Sequence, residues 1–245
     1  MITTTLIMTK SPEEIFYSTQ QSFSGFIEPT PETGRMFEAG GRYAVVPDSL
    51  RREPMKCRDI IVELGCGKGD KLIYAKDEFD FDKAVGVDLC FAEKVIRGNQ
   101  ECEFFSANLN HDWPFKNKEV DLLIAMMLLE HLFDPFESFR EIKRVLSPSG
   151  RAFVNLPLVT SIKNRLRLVF GQIPVTSVPY GRWQAEGHWD GFHLHYFTLP
   201  SIYDLAANSG LKIVRVSSVG RLNRVKNILP GLFCNEISFE LRHGD

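Results

Sequence analysis

The chain has 245 residues, room for one sizeable domain at roughly 100–200 residues per domain. Apolar residues make up 44% and charged residues 24%, which excludes wholesale disorder, and 29 basic against 31 acidic residues give no reason to expect nucleic acid as a partner. The longest apolar run, Leu122 to Leu129, falls well short of the roughly 20 residues of a membrane helix. Met1–Leu6 lacks the basic start and long apolar run of a signal peptide. Five cysteines, with no C-x-x-C pair, argue against a disulfide framework and a structural metal. The expectation is a cytoplasmic protein with no membrane segment and no metal.

Residues 1–57 are read as an N-terminal lid or leader: Ser11-Pro12-Glu13-Glu14 starts a helix, and prolines and glycines from Pro29 to Pro47 then break regular structure. Residues 58–245 form the main domain. Strand-length apolar runs recur at 59–64, 84–88, 102–106, 121–125 and 151–156, with helical segments between most of them. The clearest helix is Asp134 to Leu146, capped by Asp134, opened by Pro135 and stopped by Ser147-Pro148-Ser149-Gly150. Phe136, Phe139, Ile142, Val145 and Leu146 are assigned to its apolar face. Strands alternating with helices imply right-handed crossovers and a buried parallel sheet. The segment 157–197, rich in Gly, Pro, Trp, Tyr and His, is a substrate-side insertion. A helix over 198–208 precedes strands at 212–219 and 235–241, close enough in sequence to pair antiparallel at the sheet edge.

The chemistry concentrates in Ile61-Val62-Glu63-Leu64-Gly65-Cys66-Gly67-Lys68-Gly69-Asp70, a strand running into alternating glycines and then a helix. Glycines there let the backbone turn sharply and approach a ligand with no Cβ in the way. A dinucleotide site wants G-x-G-x-x-G facing a pyrophosphate. This chain has G-x-G-x-G flanked by Glu63 and Asp70, so a nicotinamide dehydrogenase is the weaker reading. Asp88 ends the next strand, nineteen residues past Gly69, where a carboxylate accepts both hydroxyls of a ribose. Read without a ligand, the glycines are a tight turn and Asp88 caps a helix over 90–97.

These motifs resemble the class I S-adenosylmethionine-dependent methyltransferases. Glu63, Gly65, Cys66, Gly67 and Gly69 match the family's first motif, which surrounds the methionine part of the cofactor. Asp88 matches the ribose acid, with Leu89 beside the adenine. Ser106-Ala107-Asn108-Leu109 resembles the third-strand motif, with Asn108 where the family usually has an Asp, and Ala125 and Met126 end the fourth-strand motif. Across 58–220 the resemblance implies a Rossmann-like, seven-stranded, mostly parallel sheet with helices on both faces and an antiparallel C-terminal edge pair. It implies S-adenosyl-L-methionine as cofactor and in-line methylation of oxygen or nitrogen on a small-molecule acceptor. Within the family the methyltransferase type 11 group is nearest. Residues 165–168, 171–176 and 195–198 are similar to its MetW-like branch, which implies the alternative of a cofactor-binding subunit serving a partner enzyme; a homodimer is a further option.

Methylating a hydroxyl requires that its proton leave, and a histidine near pKa 6.5 can take it. His131 and His195 are the candidates; each also reads as a packing residue. Related O-methyltransferases of ubiquinone synthesis carry a Glu…Glu-His metal set, but the first position here is Met127. His188, His193 and His195 lack neighbouring cysteines and read as pocket lining with Tyr180, Trp183, Trp189 and Tyr196.

Overall fold

Ile60–Leu64 (β1) is apolar at every position except Glu63, because a central parallel strand is covered on both faces. The computed structural model describes residues 30–89, 93–97, 100–177, 190, 193–220 and 226–244. The expected helix start at Ser11, and Pro179, Tyr180, Trp183, Glu186, His188, Trp189, Arg221 and Arg224, lie outside the described residues.

The strands are β1, β2 (Lys83–Asp88), β3 (Glu93–Arg97), β4 (Gln100–Ser106), β5 (Val120–Met126), β6 (Leu146–Pro157), β7 (Leu211–Ser218) and β8 (Glu236–His243). They form one sheet in the order β3-β4-β2-β1-β5-β6-β8-β7. From β4 to β6 all neighbours are parallel, and β8 lies antiparallel between β6 and β7. The seven expected strands are therefore present with their antiparallel end. An eighth is added at the opposite edge: β3 pairs antiparallel with β4 where a helix over 90–97 was the ligand-free alternative. The β-branched Val95 and Ile96 suit a strand better than a helix.

The helices are α1 (Pro31–Arg35), α2 (Val45–Arg52), α3 (Asp70–Phe79), α4 (Pro135–Val145), α5 (Ile162–Val169), α6 (Leu199–Asn208) and α7 (Pro230–Phe233). Alternation along the strands divides the core in two. Val62, Leu64, Leu123 and Ala125 face Phe139, Ile142 and Val145 of α4 and Ile202 and Leu205 of α6. Ile61, Leu122, Ile124 and Phe153 face Leu72 and Ile73 of α3 and Val45, Val46 and Leu50 of α2. Residues 37–50 are thus part of the layer on that second face. A charged cluster reinforces the attachment: Glu240, fully buried on β8, meets Arg242 at 2.7 Å, Arg215 at 3.4 Å and the buried Arg151 at 4.0 Å. Arg242 in turn grips Glu53, just after α2, through two 2.8 Å hydrogen bonds.

Helix α4 starts as expected, with the Asp134 carboxylate accepting from the backbone N–H groups of Phe136 (2.8 Å) and Glu137 (3.1 Å). Two details differ. Phe136 is 48% exposed, since a residue in the first turn overhangs the end of the sheet. The chain also enters β6 at Leu146 without an intervening turn, and a bulge between Val120 and Leu122 absorbs the extra residues.

Candidate functional site

In an open α/β sheet the ligand crevice lies beyond the carboxyl ends of the strands, where the strand order reverses. Here that point falls between β1 and β5, with β2 on the other side of β1. The turn after β1 carries Gly65, Gly67 and Gly69 with φ of 67°, 52° and 77°, the left-handed region where glycine is favoured. A Cβ on Gly69 would come within 2.5 Å of the Phe104 ring, so bare backbone is required there for packing as well as conformation. The Gly65 N–H donates to the Val87 carbonyl (2.7 Å) and the Gly67 N–H to Asp88 Oδ2 (3.0 Å), tying the turn to the end of β2. Asp88 is buried and thereby held against the glycine turn.

Glu63 is buried at the end of β1. Its Oε1 accepts a 2.6 Å hydrogen bond from the Tyr43 hydroxyl, and its Oε2 has no hydrogen-bond partner. Burial pushes its carboxyl up to about 8 against the lowering effect of Tyr43 and Lys71. Asp70 opens α3 and is held by Thr33 (3.0 Å) and Lys71 (2.9 Å). Burial also raises the Cys66 thiol well above its ordinary value, which makes it a wall of the turn and not a nucleophile.

On the far side, Ser106 Oγ donates to the Leu89 carbonyl (2.6 Å), and Leu109 is buried. Asn108 Oδ1 accepts from both the backbone N–H (3.1 Å) and the side-chain amide (3.0 Å) of Asn110, an Asx turn that engages both lone pairs of the oxygen. An adenine amine would have to displace one of these. Ala125 and Met126 are buried at the end of β5, and the Leu128 side chain lies 3.1 Å from where a Gly65 Cβ would stand.

This arrangement fits an adenosyl ligand: a glycine turn open to close approach, an acid on the second strand, and a buried carboxylate with an unpaired oxygen beside them. A wide polar cleft of about 750 Å³ also opens between α1, α2 and β7, but none of these motif residues lines it. The model of the methyltransferase domain family matches residues 32–216, about three quarters of the chain. The chain belongs to that family. Its fold is the class I, Rossmann-like one, shared with an S-adenosylmethionine-dependent methyltransferase of Mesorhizobium loti at a TM-score of 0.55 and 16% identity over 80% of this chain and 96% of that one. The chain is 26% identical over 110 residues to trans-aconitate 2-methyltransferase of Escherichia coli O157:H7, an alignment spanning 44% of this chain and 43% of that relative. The chain therefore covers less than half the length of the curated relatives it matches. Among solved structures, a chain from the structure described as a complex between the Haloferax volcanii Trm112 methyltransferase activator and a methyltransferase superposes with a TM-score of 0.59 at 15% identity, covering 97% of this chain and all of that one. The Burkholderia thailandensis 1,6-didemethyltoxoflavin-N1-methyltransferase, solved with 1,6-didemethyltoxoflavin and S-adenosylhomocysteine, gives 0.53 at 14% identity over 83% of this chain and 77% of that one.

The histidines separate. His195 points Nε2 at the carbonyls of Leu132 (2.9 Å) and Phe133 (3.2 Å), so that nitrogen carries its proton and pins the insertion to the chain after β5. His131 ends a 3₁₀ turn, Leu129–His131, and its ring lies edge-on to His193 with centroids 4.8 Å apart. Burial pushes Glu130, in the same turn, up to about 8, while burial and then His131 push His193 down to about 4. In the sequence His193 reads as pocket lining, with a metal cluster shared with His188 and His195 as the weaker alternative; the H-x-H spacing at 193 and 195 is its visible signal, and nothing there points to Glu130 or His131 as its neighbours. Tyr43 left no signal at all, because its partner Glu63 is twenty residues away in sequence.

Proposed function

We propose that the chain transfers a methyl group from S-adenosylmethionine to a small-molecule acceptor, at oxygen or nitrogen. The observation that carries this reading is the junction of two sets of residues at the carboxyl edge: Gly65–Gly69, Glu63 and Asp88 on one side, and the Leu129–His131 turn after the adjacent strand on the other. Leu128 against Gly65 joins them. When bound, the cofactor supplies an electrophilic methyl group already activated by the sulfonium charge.

The protein's part is alignment and exclusion of water. Asp88 accepts the ribose hydroxyls, with Leu89, Asn108 and Leu109 bordering the base. Gly65, Cys66, Gly67 and Gly69 let the methionine part approach backbone, and Glu63 offers negative charge to a cationic ligand. Ala125 and Met126 form the floor between cofactor and acceptor. For a hydroxyl acceptor, His131 takes the proton; His195 holds the insertion in place through Nε2. Residues 58–245 form the catalytic unit, and the described part of the leader, from Phe37 to Leu50, packs on one face of its sheet.

The curated relatives act on trans-aconitate, so an acid of that class belongs in the acceptor screen. Incubating the full chain with methyl-labelled cofactor and panels of carboxylic acids, phenols, sugars and amines tests the reading. Labelled product supports it. Stoichiometric cofactor binding without turnover on any panel, together with a second chain that co-purifies, supports the other reading, a MetW-like subunit that serves a partner enzyme. That alternative is favoured by Leu168, Val169 and Phe170 at the end of α5, which are 57%, 77% and 76% exposed.

A further inference from the structure

Glu130 is fully buried, and neither of its carboxylate oxygens has a hydrogen-bond partner. A buried carboxylate is costly unless paired, so such a group calls for an explanation. Ligand atoms of Glu130, His131 and His193 lie within 4.8 Å of one another.

The hydrogen bonds behind His193 fix its tautomer. Asp190 accepts from the backbone N–H groups of Thr176 (2.6 Å) and Ser177 (3.0 Å), and Thr176 Oγ1 spends its only proton on Asp190 Oδ2 (2.6 Å). At 2.7 Å from His193 Nδ1, that hydroxyl must therefore accept, so Nδ1 carries the hydrogen and Nε2 presents a lone pair. That lone pair faces Glu130 Oε1 at 3.9 Å, too long for a direct hydrogen bond. Once Glu130 is ionised, the carboxylate and the imidazole lone pair face each other acceptor to acceptor, an arrangement that a cation between them satisfies. The Asp190–Thr176–His193 relay is the kind of outer support that orients a ligating imidazole. The scaffold is also built in advance: the Leu194 N–H donates to the Glu130 carbonyl (2.8 Å), and His195 Nε2 holds Leu132.

We propose that Glu130, His131 and His193 bind one divalent first-row transition-metal ion through two imidazoles and one carboxylate. Ligand atoms around tetrahedral zinc stand about 3.4 Å apart, so small side-chain rotations close the observed spacing. Two imidazoles favour zinc or its transition-metal neighbours over magnesium or calcium. A three-ligand set leaves a coordination position for water or a small-molecule oxygen. The inference goes beyond the methyl-transfer reading and does not depend on it. In the ion-loaded protein His131 is a ligand, and its task as proton acceptor belongs to the ion-free protein.

The test is calorimetric titration of the chelator-stripped full chain with Zn²⁺, alongside Co²⁺ absorption to report ligand geometry. One ion per chain is expected, with a nitrogen-oxygen tetrahedral or five-coordinate Co²⁺ spectrum. His193→Gln, His131→Gln and Glu130→Gln should each weaken Zn²⁺ at least about 10-fold, and Thr176→Val, which keeps all three ligands, by about 10-fold through loss of orientation. S-adenosylhomocysteine affinity measured on the same samples separates the two readings: His193→Gln should lose zinc and keep the nucleoside. If Glu130→Gln fails to fold, the two histidine variants decide. Absence of saturable Zn²⁺ binding by the folded wild-type chain overturns the proposal, as does wild-type Zn²⁺ affinity in His193→Gln.

Discussion

Tyr43 reaches from the N-terminal segment to Glu63 at the end of β1 and donates a 2.6 Å hydrogen bond to its buried carboxyl. The contact joins the cover of the sheet to the first motif of the cofactor site. Tyr43→Phe leaves both Glu63 oxygens unpartnered, since Oε2 already is. The expected loss is about 1–3 kcal/mol of stability, the usual cost of orphaning a buried polar group, measured by urea unfolding. A variant as stable as wild type would show that the contact contributes nothing.

With Glu63 in its proposed place beside the cofactor, its raised carboxyl predicts a defined pH dependence of binding. In the free protein its value is about 8, above the ordinary carboxyl range, so its share of stability is full below that range and is lost as pH rises through 8. A cationic ligand beside it favours the ionised form. Binding near pH 7 should then release a proton, and affinity should rise with pH and level off above about 8. Calorimetry in two buffers of different ionisation heat reads the proton directly. Glu63→Gln should abolish the release while leaving the shape of the side chain.

Gly69→Ala meets two obstacles, φ of 77° and the Phe104 ring 2.5 Å from the new Cβ. Left-handed backbone costs about 1–2 kcal/mol and overpacking about 1–3 kcal/mol more. Adding Phe104→Leu should recover only the second part. Thermal unfolding of the single and double variants checks both, and full recovery would mean that the backbone conformation is not strained.

Glu240 faces three arginines from within the core. Replacing it with alanine leaves Arg151, itself 4% exposed, without its buried counter-charge and should cost about 3–5 kcal/mol. Conservative Glu240→Gln should cost less. Denaturant midpoints of the pair test this, with little change in Glu240→Ala as the contrary result.

What the sequence discloses here is whatever depends on local pattern. The apolar run of β1, the G-x-G-x-G turn and Asp88 at the end of β2 are spaced along a single crossover unit, so the fold, and with it the crevice proposed for the cofactor, can be read directly. Asp134-Pro135 marks the start of α4 for the same reason. The β3 hairpin escaped because Glu93–Arg97 is short and follows an Asp that serves equally as a helix cap. The cluster around Glu130 escaped because His193 is 63 residues further on, inside an insertion without periodicity. Only the fold reveals that Thr176 and Asp190 stand behind it.

The most direct test of the adenosyl crevice is isothermal titration of S-adenosylhomocysteine into the wild-type chain and into Asp88→Ala. The account predicts one site per chain in the wild type and at least about 10-fold weaker binding in the variant, since a charge-assisted hydrogen bond contributes about 1.5–3 kcal/mol. Equal affinity in the two proteins, or heat from NAD and none from the homocysteine nucleoside, would contradict it.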